Sequence, residues 1–547
     1  MAFLEPVESI IQNQLRLQSK RSNWNTLWQD LANFLWPRLA DFTTRRTGGT
    51  KRRDLIYDST GEDSAERFAS GLSNVMTPEG APWFFLKASD AAVNEDRDVK
   101  LWLEDSTRRL LDWFSSPSSN FYPASQEKNL DLGVFGTACQ FIEDKPGLGP
   151  VFTMHFLGEC FADVDDTGRV DTLYRRWRMG AKQAIQMFGA QNVGSRIREA
   201  FDKPSRNDLD FEFIHAIRPR RERILGRADN LNMPWASTFI FVQDKLRIAE
   251  GGFNEFPFIV SRWSVNSREI YGRSPGMKAL GDVKGLNVIE KNNLIAYEKA
   301  INPPLDIPHG GFFRNIDLRP GALNVRNPAV NPNEKIIPIE SGVRVDLGEA
   351  KTEQKRVQIR RAFYNDVFEL IGPLAPDNDV IRMSATEVAA RMRDRLTVLG
   401  PIFSRLKVED LGPTIFRSLK IMVRNGMTLP PPPALQGANL EVEYISPIAI
   451  AQGAGDVGSI LSWVDAMTPL AQIRPDAMDR LNVDQAGQVI GDRLRVPTRV
   501  LRTDGEMQEI RAQQAREAAE AQTEQLNALR AKQVKDTAAA EASAQLN

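Results

Sequence analysis

The sequence predicts an α+β protein that is mainly helical, and three observations predict it. Segments near both ends carry apolar residues three and four apart, the spacing of amphipathic helices. A central block of short aromatic and β-branched runs, separated by turn residues, reads as strands. After that block the helical spacing returns, so helices and strands are segregated along the chain rather than alternating.

The opening helix carries Leu15, Leu17, Trp24, Leu27, Trp28, Leu31, Phe34 and Leu35 mostly at helical spacing, and Pro37 stops it. Two more helical stretches are expected over about 58–76 and 96–114, the first opening with the polar turn DSTGED. Strand-like runs follow at 139–143, 151–156, 161–164 and 170–175, then at 211–217, 235–241 and 256–263, which suggests a small antiparallel sheet and its extension.

Helix is expected again over 276–301, with Leu280, Val283, Leu286 and Ile289 on one track and Leu294, Tyr297 and Ile301 on another. Pro303 and Pro304 end it, and a loop-rich module rich in Pro, Gly and Asn runs to about residue 348. A helix is expected over 349–371, with Ile359, Phe363, Val367 and Leu370 on one flank and Val357, Tyr364, Phe368 and Ile371 on the other. After the polar loop GPLAPDND, Ser384 and Glu387 form a capping box that opens a long helix. Gly400-Pro401 and Gly412-Pro413 should kink or break it, and Gly426 should stop it. Pro430 to Pro433 form a rigid spacer, and the Ala-, Gln- and Glu-rich tail over 504–545 has high helix propensity but few large apolar anchors.

At 547 residues, with 42% hydrophobic and 26% charged residues, the chain is long enough for about three or four domains and should mostly fold. Its 70 basic residues nearly balance 71 acidic ones. A net charge of -1 disfavours a tight, static grip on nucleic acid but suits a passage through which a polyanion slides. Two cysteines, Cys139 and Cys160, are too few for a disulfide framework and read as buried, reduced thiols. The N-terminus lacks the pattern of a signal peptide, and no apolar run of about 18 residues occurs, so a soluble intracellular product is expected.

The search for chemistry excludes more than it finds. The phosphate-loop pattern GxxxxGK[ST] is missing, which argues against an ATP-driven motor. His155, His215 and His309 stand far apart in sequence, with no zinc-ligand spacing, and no cofactor is expected. Asp163, Asp165, Asp166 and Gly168 resemble the start of a calcium loop, but Tyr174 occupies the place of its bidentate Glu, so a hairpin turn is the better reading. Glu62 and Asp63, which a metal-dependent nuclease would need, sit at a helix start where carboxylates simply favour the dipole. The arginine clusters at 45–46, 51–53 and 218–223 read first as solvated loops or salt bridges and second as nucleic-acid contacts.

Several segments in consistent order carry a resemblance. They are Trp24 to Pro37, IYDSTGEDSAERFASGLSNVMTPEGAPWFFL at 56–86, FGTACQFIE at 135–143, DVDDTGRVDTLYRRW at 163–177, YGRSPGMKALGDVKGLN at 271–287, EKAINPPL at 298–305 and SATEVAARM at 384–392. Together they resemble the head-to-tail connecting protein family of short-tailed bacteriophages, with the weakest coverage after residue 437. The resemblance implies the phage portal fold with wing, two-helix stem, clip, tunnel loop and helical crown or barrel, assembled as a ring that is dodecameric in the family. Laid on this chain, the plan gives a wing over 1–275, stem helices over 276–301 and 349–371 with the clip at 302–348, and a tunnel loop over 372–383. A long kinked helix over 384–429 then returns to the wing, followed by a crown over 430–503 and a barrel-like helix over 504–547.

The resemblance further implies a non-enzymatic channel at one capsid vertex of the virion, assembled in the bacterial cytoplasm. Its implied partners are other copies of itself, the major capsid protein, the terminase during packaging, tail adaptor and tail tube proteins, and double-stranded DNA in transit. Internal core proteins are a further option. On this plan Asp377, Asn378 and Asp379 stand at the narrowest part of the channel, where repeated carboxylates would form a negative collar. Lys351, Lys355 and Arg360 on the adjoining helix either attract the passing phosphates weakly or pair with Glu349 and Glu353. A nuclease or motor subunit, and a scaffolding protein that leaves the capsid, are the alternatives from other functional classes.

Overall fold

The computed structural model describes residues 5–44, 49–203, 209–306, 337–339, 345–368, 399–445, 458–468 and 482–544, apart from single positions 222, 225, 228, 436, 438, 495, 497, 501 and 503. The chain divides into two compact units. The first comprises residues 1–85, 106–430 and 442–448, and the second residues 86–105, 431–441 and 449–547.

The first unit opens with α1 (Val7–Lys20) and α2 (Ser22–Leu35), followed by α3 (Thr60–Met76) and the strand β1 (Phe84–Ala88). The five-residue α4 (Ala91–Glu95) and the first part of α5 (Arg97–Ser115) belong to the second unit, and α6 (Phe121–Phe135) to the first. No periodic apolar stripe marks α6, because its buried face mixes Phe121, Ala124, Leu132 and Phe135 with the polar Ser125, Lys128, Asn129 and Asp131. Trp83, Phe114, Phe121 and Phe152 pack into one aromatic cluster around its first turn, with ring centroids 4.3 to 6.0 Å apart.

Strands β2 (Thr137–Lys145) and β3 (Gly149–His155) form a hairpin. Next come β4 (Cys160–Val164), β5 (Val170–Gly180), the helices α7 (Ala181–Phe188) and α8 (Ser195–Asp202), and the strands β6 (Asp210–Pro219), β7 (Trp235–Phe241), β8 (Leu246–Phe253) and β9 (Phe258–Arg262). Where the sequence suggests one extended sheet, there are two. One has three strands in the order β3-β2-β9; the other has five, in the order β4-β5-β6-β7-β8. β8 lies where Arg247, Glu250 and the Gly251-Gly252 pair interrupt the apolar residues Leu246, Ile248 and Phe253.

Helix α7, helix α8 and the five-stranded sheet share a small core of Trp177, Ile197, Phe213 and Phe241. α1 lays Ile10 and Leu17 against Phe161, Tyr174 and Ile214. The largest core joins α2, α3, α6 and the three-stranded sheet to two further helices, α9 (Pro275–Ile301) and α10 (Val345–Ala362). α9 matches the expected helix over 276–301 within one residue.

α10 does not match its expectation. A helix over 349–371 was expected, but it starts at Val345 and ends at Ala362. Tyr364 then adopts φ 57°, a left-handed conformation that costs an L-residue about 1–2 kcal/mol, and the short α11 (Asn365–Phe368) follows. The turn sends Phe363, Val367 and Phe368 into the same core as Ile359, so the two apolar flanks meet one core there. Two-residue strands β10 (Leu305–Asp306) and β11 (Ile337–Pro338) pair beyond the end of α9.

A helix described from residue 399 runs through Gly400-Pro401 and Gly412-Pro413 rather than breaking at either. Pro413 has no N–H to return to the preceding turn, and the helix absorbs this by widening into a π-turn at Lys407–Leu411 before continuing as α12 (Gly412–Arg424). The π-turn carries two acids that reach buried bases: Asp410 meets Lys128 at 2.7 Å, and Glu409 receives two bonds from Arg262. Downstream, Arg417 donates to the Ile142 carbonyl and to Glu255, and burial lowers its guanidinium to about 10 against the opposing Glu255 charge. Gly426, at φ 68°, closes α12 as the sequence suggests, with Met427 N–H returned to the Met422 carbonyl at 2.8 Å. β12 (Leu440–Tyr444) pairs with β1.

Within the second unit, residues 458–468 are helical, followed by α13 (Val483–Leu494) and the 41-residue α14 (Asp504–Ala544). Arg511 and Asp484 link α14 to α13 at 2.6 Å, and Arg97 reaches Glu506 at 3.4 Å. From residue 511 to 532 every side chain of α14 is exposed, including Leu526 and Leu529.

Candidate functional site

α9 and α10 pair side by side into a helical hairpin whose base lies in the main core. Ser274 caps α9 by accepting from Met277 N–H at 2.9 Å while donating to the Val134 carbonyl at 2.7 Å, and Pro275 supplies a preset first turn. The approach beneath is too close for side chains. A Cβ on Gly272 would stand 2.2 Å from the Gly136 carbonyl oxygen, and one on Gly276 2.9 Å from the Val134 oxygen and from Leu35. Gly136 itself holds φ 78°. Gly272 N–H donates to Thr137 Oγ1 at 2.8 Å, and Tyr271 sets its ring edge-on to Trp28 at 5.1 Å while its hydroxyl accepts from Ala162 N–H. The segments FGT and YGRSPG therefore meet backbone to backbone.

A polar hub sits above this base. The Asn287 amide oxygen accepts from Tyr57 N–H at 2.6 Å and Asp58 N–H at 3.2 Å, and its nitrogen donates to the Val283 carbonyl. Asp58 accepts from Thr60 N–H at 2.8 Å and receives the Arg356 guanidinium at 2.8 and 2.9 Å, while Arg356 also reaches Glu290 at 3.0 Å. Burial works against the Asp58 charge, but the bonds from Thr60 and Arg356 outweigh it and hold the carboxyl below its ordinary range. The DST turn is thus the strap that ties both hairpin helices to the body.

Of the residues expected to face a channel, Lys351 is exposed and has no ion partner among the described residues. Lys355 pairs across the hairpin with Asp282 at 2.7 Å, and Arg360 reaches back to Glu353 at 3.3 Å. Asp377, Asn378 and Asp379, with the whole of 372–383, lie outside the described residues. The same holds for the capping box at Ser384 and Glu387, for His309, and for most of 302–348. α10 carries five basic residues against three acidic, but Lys355, Arg356 and Arg360 are engaged by Asp282, Asp58, Glu290 and Glu353.

The farther half of α9 leaves apolar side chains in solvent. Val288, Leu294, Ile295 and Ile301 are 59%, 54%, 41% and 82% exposed, whereas Val283 and Leu286 in the near half are inaccessible. Val288 and Ile295 are seven residues apart, as are Leu294 and Ile301, so each pair repeats after about two turns on one side of the helix.

The other candidates resolve as structure. Asp165 accepts from Thr167 and Arg169 N–H in the turn of the β4–β5 hairpin, with Gly168 at φ 81°, and Asp163 pairs with Arg16 at 3.0 Å. Glu62 and Asp63 occupy the first turn of α3. Cys139 and Cys160 are buried, free thiols. Separate in sequence, His155 and His215 come together in space against Phe141 and Phe258, and burial, then the nearby Arg175 charge, depresses both to about 3, so they are neutral at physiological pH. In the 218–223 cluster, Arg218 pairs with Glu5 at 2.6 Å and Arg220 with Glu250 at 3.6 Å. Sequence reasoning missed Arg356 and the buried Arg21, which donates to the Leu157 and Gly158 carbonyls at 2.9 and 2.6 Å, because both act on partners more than a hundred positions away.

The chain is 32% identical over 507 residues, 91% of its length and 89% of the relative's, to a protein of Bordetella phage BPP-1 named probable portal protein. It is also 32% identical over 528 residues, 94% of its length and 92% of the relative's, to the portal protein of Salmonella phage epsilon15. The family model for the bacteriophage head to tail connecting protein matches residues 8–501, a span holding the DST strap, the glycine-locked base and the helical hairpin, and the chain belongs to that family.

Proposed function

We propose that this chain is the portal subunit of a bacteriophage, copies of which close into a ring at one vertex of the capsid and pass DNA through its centre during packaging and ejection. The observation that carries the reading is family membership over nearly the whole chain, joined to two relatives that are named portal protein or probable portal protein. The ring is dodecameric, as in the family, and the subunit is a virion component that does its work without catalysis. Its partners are the capsid shell, the terminase during packaging, the tail adaptor and tail tube, and the DNA.

In this reading α9 and α10 are the stem, residues 302–348 the clip, residues 372–383 the tunnel loop, and α14 a helix that packs beside its copies about the ring axis. Support comes from the exposed apolar pairs on the far half of α9, which a ring neighbour would cover. Lys351, exposed and with no ion partner among the described residues, suits a wall that DNA slides along. Asp377 and Asp379 supply a carboxylate collar that keeps phosphate from sticking.

The test is to replace Asp377 and Asp379 together by lysine and to measure assembly, packaged DNA length and ejection separately. Rings should form normally, while DNA transit slows and recovers as salt is raised. Normal packaging and ejection at every salt concentration would contradict the placement of this loop against DNA.

A further inference from the structure

The break after α10 places a tyrosine in the left-handed position that glycine ordinarily takes. Neither glycine nor proline occurs between Val357 and Phe368. Tyr364 nevertheless holds φ 57°, and its carbonyl accepts from both Val367 and Phe368 N–H, at 2.9 and 3.2 Å. Asn365, next in the chain, is 1% exposed, and neither its amide oxygen nor its nitrogen finds a hydrogen-bond partner among the described residues. The apolar spacing Ile359, Phe363, Val367 meanwhile runs through the turn as though the helix continued.

What holds the break is a pocket over α3. Phe363 and Phe368 both set their rings against Phe68, at 6.3 and 5.8 Å, and Phe368 lies on Gly71, where an added Cβ would come within 2.4 Å of the ring. One aromatic seat thus opposes a left-handed tyrosine and an unsatisfied buried amide, an arrangement in which strain is held by a few contacts.

We propose that Tyr364 is a two-state hinge. In the state seen here Phe368 is seated on Gly71 and the helix is broken. In the other, Tyr364 relaxes to right-handed helix, α10 and α11 become one helix, Asn365 is freed from its unpaired burial, and Phe368 leaves its seat. The hinge follows from these contacts alone. Its consequence, a change in the direction in which the chain leaves the stem, rests on the portal reading.

The test uses the full-length protein and hydrogen exchange of the amides at 363–366. Phe368→Ala empties the seat, so exchange there should slow by about tenfold, because the left-handed residue is no longer enforced and the helix extends. Were the break the only state, the same substitution would leave a cavity, loosen the turn and speed exchange, which would overturn the hinge. Adding Tyr364→Gly to Phe368→Ala should restore fast exchange, since glycine accepts the left-handed turn and weakens the helix. Gly71→Val, which fills the seat instead of emptying it, should also slow exchange at 363–366. A short α10 ending at Ala362 in electron cryomicroscopy of both single variants would equally overturn the proposal. Exchange at amides of the five-stranded sheet reports whether each variant is folded, and either single variant suffices if the other is not. None of these readouts depends on DNA, so the hinge could fail while the portal reading stands, or the reverse.

Discussion

The two halves of α9 lie on one continuous helix and differ in almost everything else. In the near half, Pro275, Gly276, Ala279, Val283 and Leu286 are buried in the main core, and the glycines beneath leave no room for a methyl group. In the far half, from Val288 onward, large apolar side chains stand in solvent beside Lys291 and Glu298. A lone subunit has reason to keep the first pattern and none to keep the second. The near half serves the fold of the subunit, and the far half is the surface that a portal ring would use.

The largest expected effect falls on the near half. Gly272→Ala forces a Cβ into the Gly136 carbonyl, backbone against backbone, with no flexible side chain to give way. The subunit should lose roughly 4 kcal/mol or more, or fail to fold, as read by chemical denaturation. A Gly272→Ala protein with unchanged stability would mean that the base of α9 is looser than its geometry.

A middle-sized effect belongs to the strap. Asp58→Asn should cost about 1–3 kcal/mol by leaving Arg356 without its carboxylate. The pH dependence follows from the depressed Asp58 value: its contribution is fully present above the ordinary carboxylate range and is lost as pH falls through the lower folded value. Denaturation profiles from pH 7 down to about 2 should therefore lose part of their acid slope in Asp58→Asn. Identical profiles for the two proteins would remove Asp58 from the hub.

The smallest effect on folding is expected in the far half. Val288→Ser with Ile295→Ser should change subunit stability by no more than about 0.5 kcal/mol. The same variant should weaken ring formation, measured by light scattering across a concentration series. Rings of unaltered stability would show that this face of α9 is not an interface.

Much of this contrast is legible before the fold is known. The bounds of α9 follow from Ser274-Pro275 at one end and Pro303-Pro304 at the other, and the stop at Gly426 follows from its left-handed φ. Seven of the eight strands β2–β9 stand out by aromatic and β-branched runs, whereas β8 hides behind its glycines. α6 is invisible for a different reason, since Ser125, Lys128, Asn129 and Asp131 on its buried face break the periodic apolar stripe.

The break at Tyr364 carries no glycine or proline, and the apolar pattern runs straight through it. The candidate site divides in the same way. The motifs that carry the resemblance are the ones that touch: FGT lies on YGRSPG, and the DST turn lies on Asn287. Their mutual contact, and the arginine that ties the strap to both hairpin helices, join positions 66 to 298 residues apart and are settled only by folding. Long-range polar pairs leave no local period to read.

Everything said of the far half of α9 turns on whether this chain closes into a ring. Electron microscopy of the purified full-length protein should show ring-shaped particles with a central hole, of one dominant size. A uniform field of folded single subunits at micromolar concentration, with no rings at any salt, would contradict it.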